Sequence, residues 1–360
     1  MKGTLELIKK LSLAFGPSGM EDEVREIILE EIKDYADATT LDALGNIIVR
    51  IDCQKPNAPT LMLSAHMDEV GMMITHVEDC GVLRFAEIGG MNTSILSGKR
   101  VTVYGHDEKK IRGVIASKAI HLQTKEEREH HTKLSDLYID VGASSKEQAL
   151  SLVQIGDCAT FDSDFTVFGD DSNRIKCKAL DDRAGCAILI ELLRDIKKNA
   201  PSLNCNLAIC FTTREETGLS GASVASYSCA PDYAIILETT TVADLPSVEE
   251  KRRVASLGGG TVISLLDRGS IYDRDFIRYA MSFDRDVKLQ VKEYVSGGND
   301  TRHIQLSRDG THALVLSVPT RYLHSASCVL DVRDVYATKA LAYKLVCNFN
   351  LDAVSAGKDI

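Results

Sequence analysis

Tryptophan is absent, and phenylalanine and tyrosine bring the aromatic share to only 6%. So few ring faces offer little on which to stack sugars, which counts against a carbohydrate-processing enzyme. Positive charge is also in deficit: 42 lysines and arginines face 52 aspartates and glutamates, for a formal net charge of −10. Neither nucleic acid nor an anionic membrane surface is therefore expected as the main partner. No apolar run reaches membrane-spanning length, and the opening MKGTLELIKKLSLAFG is too short and too polar for a secretory h-region. Its leucine and isoleucine spacing predicts an amphipathic helix instead. The ten cysteines include no CxxC pair, and Cys186, Cys205 and Cys210 sit in apolar runs. They read as reduced thiols of a cytoplasmic protein, so any metal is expected on histidine and carboxylate. Internal repeats and low-complexity tracts are missing too.

What is present is an ordinary globular composition, 44% hydrophobic and 26% charged over 360 residues, enough for one large domain or two. Ser18 reads as the N-cap of a helix carrying Val24, Ile27, Ile28 and Ile32. NIIVRI and TLMLSAH follow as strands, the second apolar throughout and so covered on both faces. From about residue 70 to about 163 the texture changes to short alternating segments (VLRFAEI, RVTVYG, IRGVIAS, LYIDVGA, CATFDS), the pattern of a small β-rich domain. One charged helical stretch, TKEEREHHTKLSD, interrupts them. Beyond about 175, strands again alternate with helices, which indicates an α/β sheet covered on both faces. A β-rich domain is thus inserted into an α/β domain.

Sites in such sheets form at the carboxyl ends of the strands. Read in order, those ends supply His66 and Asp68, then Glu215 and Glu216, then Glu238, and finally His324; the helix DDRAG opens with Asp181 and Asp182. Imidazole and carboxylate together suit zinc or a similar first-row ion. Two ions roughly 3.5–4 Å apart need a bridging ligand, which a carboxylate supplies. Each residue also has a plain structural reading. A lone histidine at a strand end is usually a hydrogen-bonded surface group, and either aspartate could simply cap its helix. The pair Glu215 and Glu216 is harder to place, because adjacent residues on a regular strand point to opposite faces. Either one faces solvent, or the strand ends there and a turn brings both to one place.

Five stretches, SAHMDEVGMMI, KALDDRAGCAILIELL, TTREETGLSGA, SGGNDTRHIQL and SVPTRYLHS, resemble the TET-type (tetrahedral) aminopeptidases. This dinuclear-metal family includes glutamyl and deblocking aminopeptidases. The similarity runs from the first helix to the last, in order and with compatible spacing. It implies a mixed sheet covered by helices on both faces, as in zinc peptidases, with a catalytic domain at residues 1–69 and 164–360. A β-rich dimerisation domain would occupy residues 70–163. Two divalent ions per subunit are implied, zinc or cobalt foremost and manganese also accepted. His66 and Glu238 would hold one ion, Glu216 and His324 the other, and Asp181 would bridge them. Glu215 would be the general base and Asp68 would orient His66. Many relatives carry aspartate where this chain has Glu238, one methylene longer and still a competent zinc ligand. The implied reaction is release of N-terminal residues from peptides with a free N-terminus. Relatives assemble from dimers into dodecamers, so a homo-oligomer is implied as well.

Three rival readings are open to the sequence: a related amide hydrolase (carboxypeptidase or deacylase), a glycosidase using paired carboxylates, and a scaffold that has lost its site. Every matched ligand position holds a competent ligand type, which argues against the last. Asp300 and Arg321 fall within matched motifs and read as structural or substrate-positioning. His130 and His131 read as part of an exposed charge run, and His76, His106 and His312 have no evident carboxylate partner.

Overall fold

The computed structural model describes residues 2–355 except 37, 107, 108, 170, 247 and 293. The apolar run TLMLSAH forms the strand Thr60–His66, buried at every position after the first. Asn206–Thr212 and Tyr233–Thr241 flank it in parallel, and His312–Arg321 follows Tyr233–Thr241, also in parallel. Antiparallel strands extend the sheet at both edges. Ile47–Ile51 and Thr39–Leu41 lie at one edge, and Cys328–Asp331, Arg174–Cys177 and Thr166–Phe168 at the other. Thr261–Ile263 and Leu289–Val291 branch from His312–Arg321, completing an eleven-stranded mixed sheet.

Thr60–His66 sits where the strand order reverses. The chain moves to Asn206–Thr212 on one side of it, then crosses back to Tyr233–Thr241 on the other. Because parallel crossovers are right-handed, the helices Leu180–Asn199 and Ser220–Cys229 fall on opposite faces. The first packs with Lys2–Leu13 and Val332–Cys347, the second with Thr301–Ile304. Both faces of the central strands are therefore dry, as their unbroken apolar character requires.

Between Gly71 and Phe161 six strands close into a barrel, in the order Gly71–Val77, Leu83–Ile88, Leu137–Asp140, Lys110–Ser117, Arg100–Tyr104 and Cys158–Phe161. It has its own core, including Met72, Ile74, Val101, Ile115 and Ile139. Among the described residues no helix is long and apolar enough to cross a membrane, and all ten cysteines are free.

Some local expectations fail for identifiable reasons. Ser18 does not cap a helix: the helix begins at Asp22, and the Ser18 hydroxyl donates to Asp68 Oδ2 at 2.6 Å. The helix in KEEREHHTK stops at Glu129, one turn after a capping box between Thr124 and Glu127. His312 does have a carboxylate, Asp273 at 2.7 Å, and His76 has Glu78 at 3.9 Å. Asp273 lies 39 residues before His312, whereas Glu78 is only two residues after His76.

The chain leaves the sheet for the barrel at Glu69, and this carboxylate is the junction's lock. It is 2% exposed and accepts hydrogen bonds from Lys178 Nζ and from Thr160 Oγ1 at 2.7 Å, with Arg183 Nη2 3.6 Å away. Lys178 and the fully buried Arg183 in turn donate to the carbonyls of Ala14, Leu11 and Gly16 at the end of the first helix. One anion thus joins the first helix, the barrel and the start of Leu180–Asn199. Removing one partner of a buried ion pair strands the other. We expect Glu69→Ala to cost about 3–5 kcal/mol in urea unfolding and Glu69→Leu combined with Lys178→Met to cost less. A double variant at least as unstable as the single one would contradict this account.

Candidate active site

The two adjacent glutamates are delivered by a turn. Strand Asn206–Thr212 ends two residues earlier, and Arg214 takes φ +57, a left-handed conformation uncommon for a side chain of its size. Asp68 then gathers the turn: its Oδ1 accepts from the Glu215 N–H at 3.0 Å and its Oδ2 from the Glu216 N–H at 3.1 Å. Glu21 holds the preceding N–H, that of Arg214, at 3.2 Å. Both glutamates consequently enter one site. Gly221 lets the next helix abut this turn, since a Cβ there would lie 2.1 Å from the Thr213 carbonyl oxygen.

The DD pair divides its labour. Asp182 accepts from the Gly185 N–H at 3.0 Å and so performs the capping expected of such a residue. Asp181 has extended rather than helical angles (φ −83, ψ 109) and turns into the site instead. Glu238 lies inside its strand, which runs on to Thr241, but pairing with Thr60–His66 stops at Ile236. Overshooting its shorter neighbour leaves Glu238 beyond that neighbour's last ladder pair, next to His66.

Asp181 presents one oxygen to each imidazole: Oδ1 lies 3.4 Å from His66 Nε2, and Oδ2 lies 3.4 Å from His324 Nε2. Glu238 Oε1 is 3.9 Å from His66 Nε2, and Glu216 Oε1 is 3.3 Å from His324 Nε2. His324 meets the carbonyl of Gly90 through Nδ1 at 2.7 Å, so a proton there would leave Nε2 free to face the carboxylates. Asp68 Oδ1 lies 3.3 Å from His66 Nδ1, close but without the alignment of a hydrogen bond. All seven residues expected from the sequence are thus brought together. They line a cavity of about 700 Å³, except Asp68, which lies behind it.

Electrostatics show what the pocket wants. Burial drives Glu215 and Glu238 well above the ordinary carboxylate range and Glu216 to about 7, with neighbouring carboxylates adding to the rise. Burial opposes charge on the imidazoles, yet the acids outweigh it, holding His66 well above its ordinary value and His324 at about 9. Asp181, although buried, is held low by its two histidines. Three groups of potential ligand atoms each gather within 4.8 Å: His66 with Asp181 and Glu238, His66 with Glu215 and Glu216, and Asp181 with Glu216 and His324. Among the described residues, the buried Asp181 Oδ1 and His66 Nδ1 have no hydrogen-bond partner. Nitrogen and oxygen donors in excess negative charge, with an unpartnered buried oxygen at the centre, fit a divalent first-row cation.

The profile of the M42 glutamyl aminopeptidase family matches residues 45–341. The chain belongs to this family. As an M42 aminopeptidase it is a metal-dependent hydrolase of peptide bonds and uses divalent metal. It is 32% identical over 348 residues to the lysyl aminopeptidase of Pyrococcus furiosus, covering 95% of this chain and 96% of that one. Among solved structures, a TET aminopeptidase from a marine sediment archaeon of the Thaumarchaeota matches with TM-score 0.94 at 30% identity, covering 99% of each chain. The TET1 peptidase of Pyrococcus horikoshii matches with TM-score 0.85 at 34% identity, covering 96% of this chain and 100% of that one.

Several site residues of this M42 chain escape sequence reading. Ser18, Glu21 and Gly90 act through contacts made 50 to 234 residues away. No local signal marks them. Asp300, buried, accepts from Thr212 Oγ1 at 2.7 Å, while Arg321 forms a two-pronged pair with Asp244 at 2.7 and 2.9 Å. Because Asp68 holds two backbone N–H groups, Asp68→Asn would set an amide donor against one of them. We expect a loss of about 10–100-fold in metal affinity or kcat, read by metal titration and peptide turnover on protein with an unchanged circular dichroism spectrum.

Proposed function

We propose that the chain removes N-terminal residues from peptides at a dinuclear centre. His66 and Glu238 would hold one ion, Glu216 and His324 the other, and Asp181 would serve both. The observation that carries this reading is the division of the Asp181 oxygens between the two imidazoles, each at 3.4 Å. Zinc or cobalt suits the ligand set best, and manganese is compatible. When bound, the ions polarise the scissile carbonyl and acidify the attacking water. Glu215 takes the proton from that water and passes it to the departing amine. Asp68 keeps Glu215 in reach by holding its backbone N–H, and flanks His66 at the same time. Burial of the surrounding acids keeps bulk water from screening these charges.

Residues 1–69 and 164–360 form the catalytic domain in this reading, and residues 70–163 a dimerisation domain. The Pyrococcus horikoshii relative can assemble into a tetrahedron or a large octahedral shell, which supports a homo-oligomer here.

The glycosidase alternative is disfavoured by the lining of the cavity. No phenylalanine or tyrosine lines the cavity among the described residues. A deacylase or carboxypeptidase is separated by experiment. A short free-amine peptide should be cleaved only after zinc or cobalt is restored to chelated protein, and its N-acetylated twin should not be cleaved. Turnover of the acetylated peptide would instead indicate a different amide hydrolase. Glu215→Gln should lower kcat by about 10²–10⁴-fold with metal content unchanged; metal lost along with activity would make Glu215 a ligand rather than the base.

A further inference from the structure

Two of the ten free cysteines stand in contact. Cys210 lies in strand Asn206–Thr212, and Cys229 is the last residue of helix Ser220–Cys229. Nineteen positions apart along the chain, they bring their sulfurs to 3.7 Å. A disulfide needs about 2.05 Å, so a small shift of one side closes the gap. Cys210 is held still, because its strand is paired on both flanks, with Ile48 on one and Ser64 on the other. The helix end is freer: Tyr227, Ser228 and Ala230 around Cys229 are exposed. No cysteine lines the cavity among the described residues, so this pair stands outside the site.

The two thiols divide proton and charge. The hydrogen bond from Cys210 holds the Cys229 thiol below its ordinary range against its burial, and the guanidinium of Arg50 adds to the effect. That guanidinium is fixed close by: Arg50 Nη2 donates to the Ser228 hydroxyl at 3.2 Å and to the Ser228 carbonyl at 3.4 Å. Asp42 and the carbonyl end of the helix pull the other way. Cys210, which keeps the shared proton, is pushed well above the ordinary thiol range. Another pair is inert by contrast. Cys177 and Cys328 are ladder partners on antiparallel strands, but burial pushes them up to about 11 and about 12. A half-buried thiolate near a cation, with a second thiol in reach, is the arrangement of a redox-sensitive cysteine and its resolving partner.

We propose that Cys210 and Cys229 form an oxidation site, which a hydroperoxide converts to a disulfide that clamps the helix onto the strand. The Cys229 thiolate attacks one oxygen of hydrogen peroxide and becomes a sulfenic acid. The hydroxide released takes up the proton that Cys229 lost on ionising. The Cys210 sulfur then displaces the sulfenic hydroxyl, which leaves as water with the Cys210 proton. Two thiols lose two electrons in all, and one peroxide becomes two waters. The loop closed by this bond contains Glu215 and Glu216, in the turn that Asp68 gathers. Closing a loop removes freedom from its unfolded state, so the disulfide steadies the segment that carries both glutamates.

The test uses zinc-loaded protein, since zinc is redox-inert. It is treated with hydrogen peroxide and then blocked with iodoacetamide under denaturing conditions. Two fewer thiols should react, a peptide map should show the segments of Cys210 and Cys229 linked, and dithiothreitol should restore both thiols. The oxidised protein should unfold at higher urea than the reduced one. Cys229→Ser should abolish both the link and the shift, while Cys80→Ser, at an exposed cysteine elsewhere, should abolish neither. Cys229 recovered as sulfinic acid with Cys210 still free would overturn the proposal, because the pair would then have failed to close. So would wild type that keeps every thiol, a link between other cysteines, or an oxidised protein that unfolds no later than the reduced one. The link and the blocked thiols are read on wild type, so a variant that fails to fold leaves the test intact.

Discussion

Four carboxylates, Asp181, Glu215, Glu216 and Glu238, are packed with two imidazoles into one buried space, and Asp68, Asp182 and Asp300 are buried just behind. So much like charge is prohibitive inside a protein unless something compensates it. The chain supplies only part of the compensation: backbone N–H groups for Asp68 and Asp182, a hydroxyl for Asp300 and imidazoles for Asp181. Burial still holds Glu215, Glu238 and Asp182 well above the ordinary range. A divalent cation bound there would supply the missing charge. The local architecture follows from holding these acids close despite their repulsion. Five residues with left-handed backbone, Ala179, Arg214, Leu219, Tyr322 and His324, lie in the segments that deliver them. Such strain is kept only where the surroundings over-determine it.

The barrel is tied to this site. Gly90, in the loop after a barrel strand, holds the ring of His324, and Glu69 at the barrel's entry locks to Lys178, three residues before Asp181. Gly89 packs against Glu216, where an added Cβ would come within 3.2 Å of the Glu216 Cβ. A displacement of the barrel would therefore reach both His324 and Glu216. In an assembled particle, subunit contacts made through the barrel would bear on His324 and Glu216 by this route.

Much of the architecture was legible because it rests on strong, local signals. TLMLSAH is apolar at Leu61, Met62, Leu63 and Ala65, and the barrel segments alternate, so their strands could be placed from residue pattern alone. The edge strands Thr39–Leu41, Thr166–Phe168, Arg174–Cys177 and Cys328–Asp331 could not. Each has three or four residues, too few to display a period, and their pairing is decided by partners far along the chain. Ser18 illustrates the same limit. Its position before an acidic, helix-forming stretch satisfies the rule for a cap, yet Asp68, fifty residues on, offers a stronger acceptor.

By itself the sequence determined the kinds of ligand and the strands that carry them: imidazole and carboxylate at the carboxyl ends of parallel strands, with no cysteine ligand and no aromatic platform. Those properties belong to residue type and short-range pattern, which a linear chain displays in full. Tertiary structure alone decided how adjacent groups divide their roles. Asp182 caps while Asp181 turns inward, because only the latter faces two imidazoles. Glu215 and Glu216 share a site because Asp68 collects both their N–H groups. Lys292 lines the cavity because the Asp267 and Asn299 contacts hold its wall in place. Each outcome depends on a partner remote in sequence and near in space, and that proximity exists only once the sheet has closed around it.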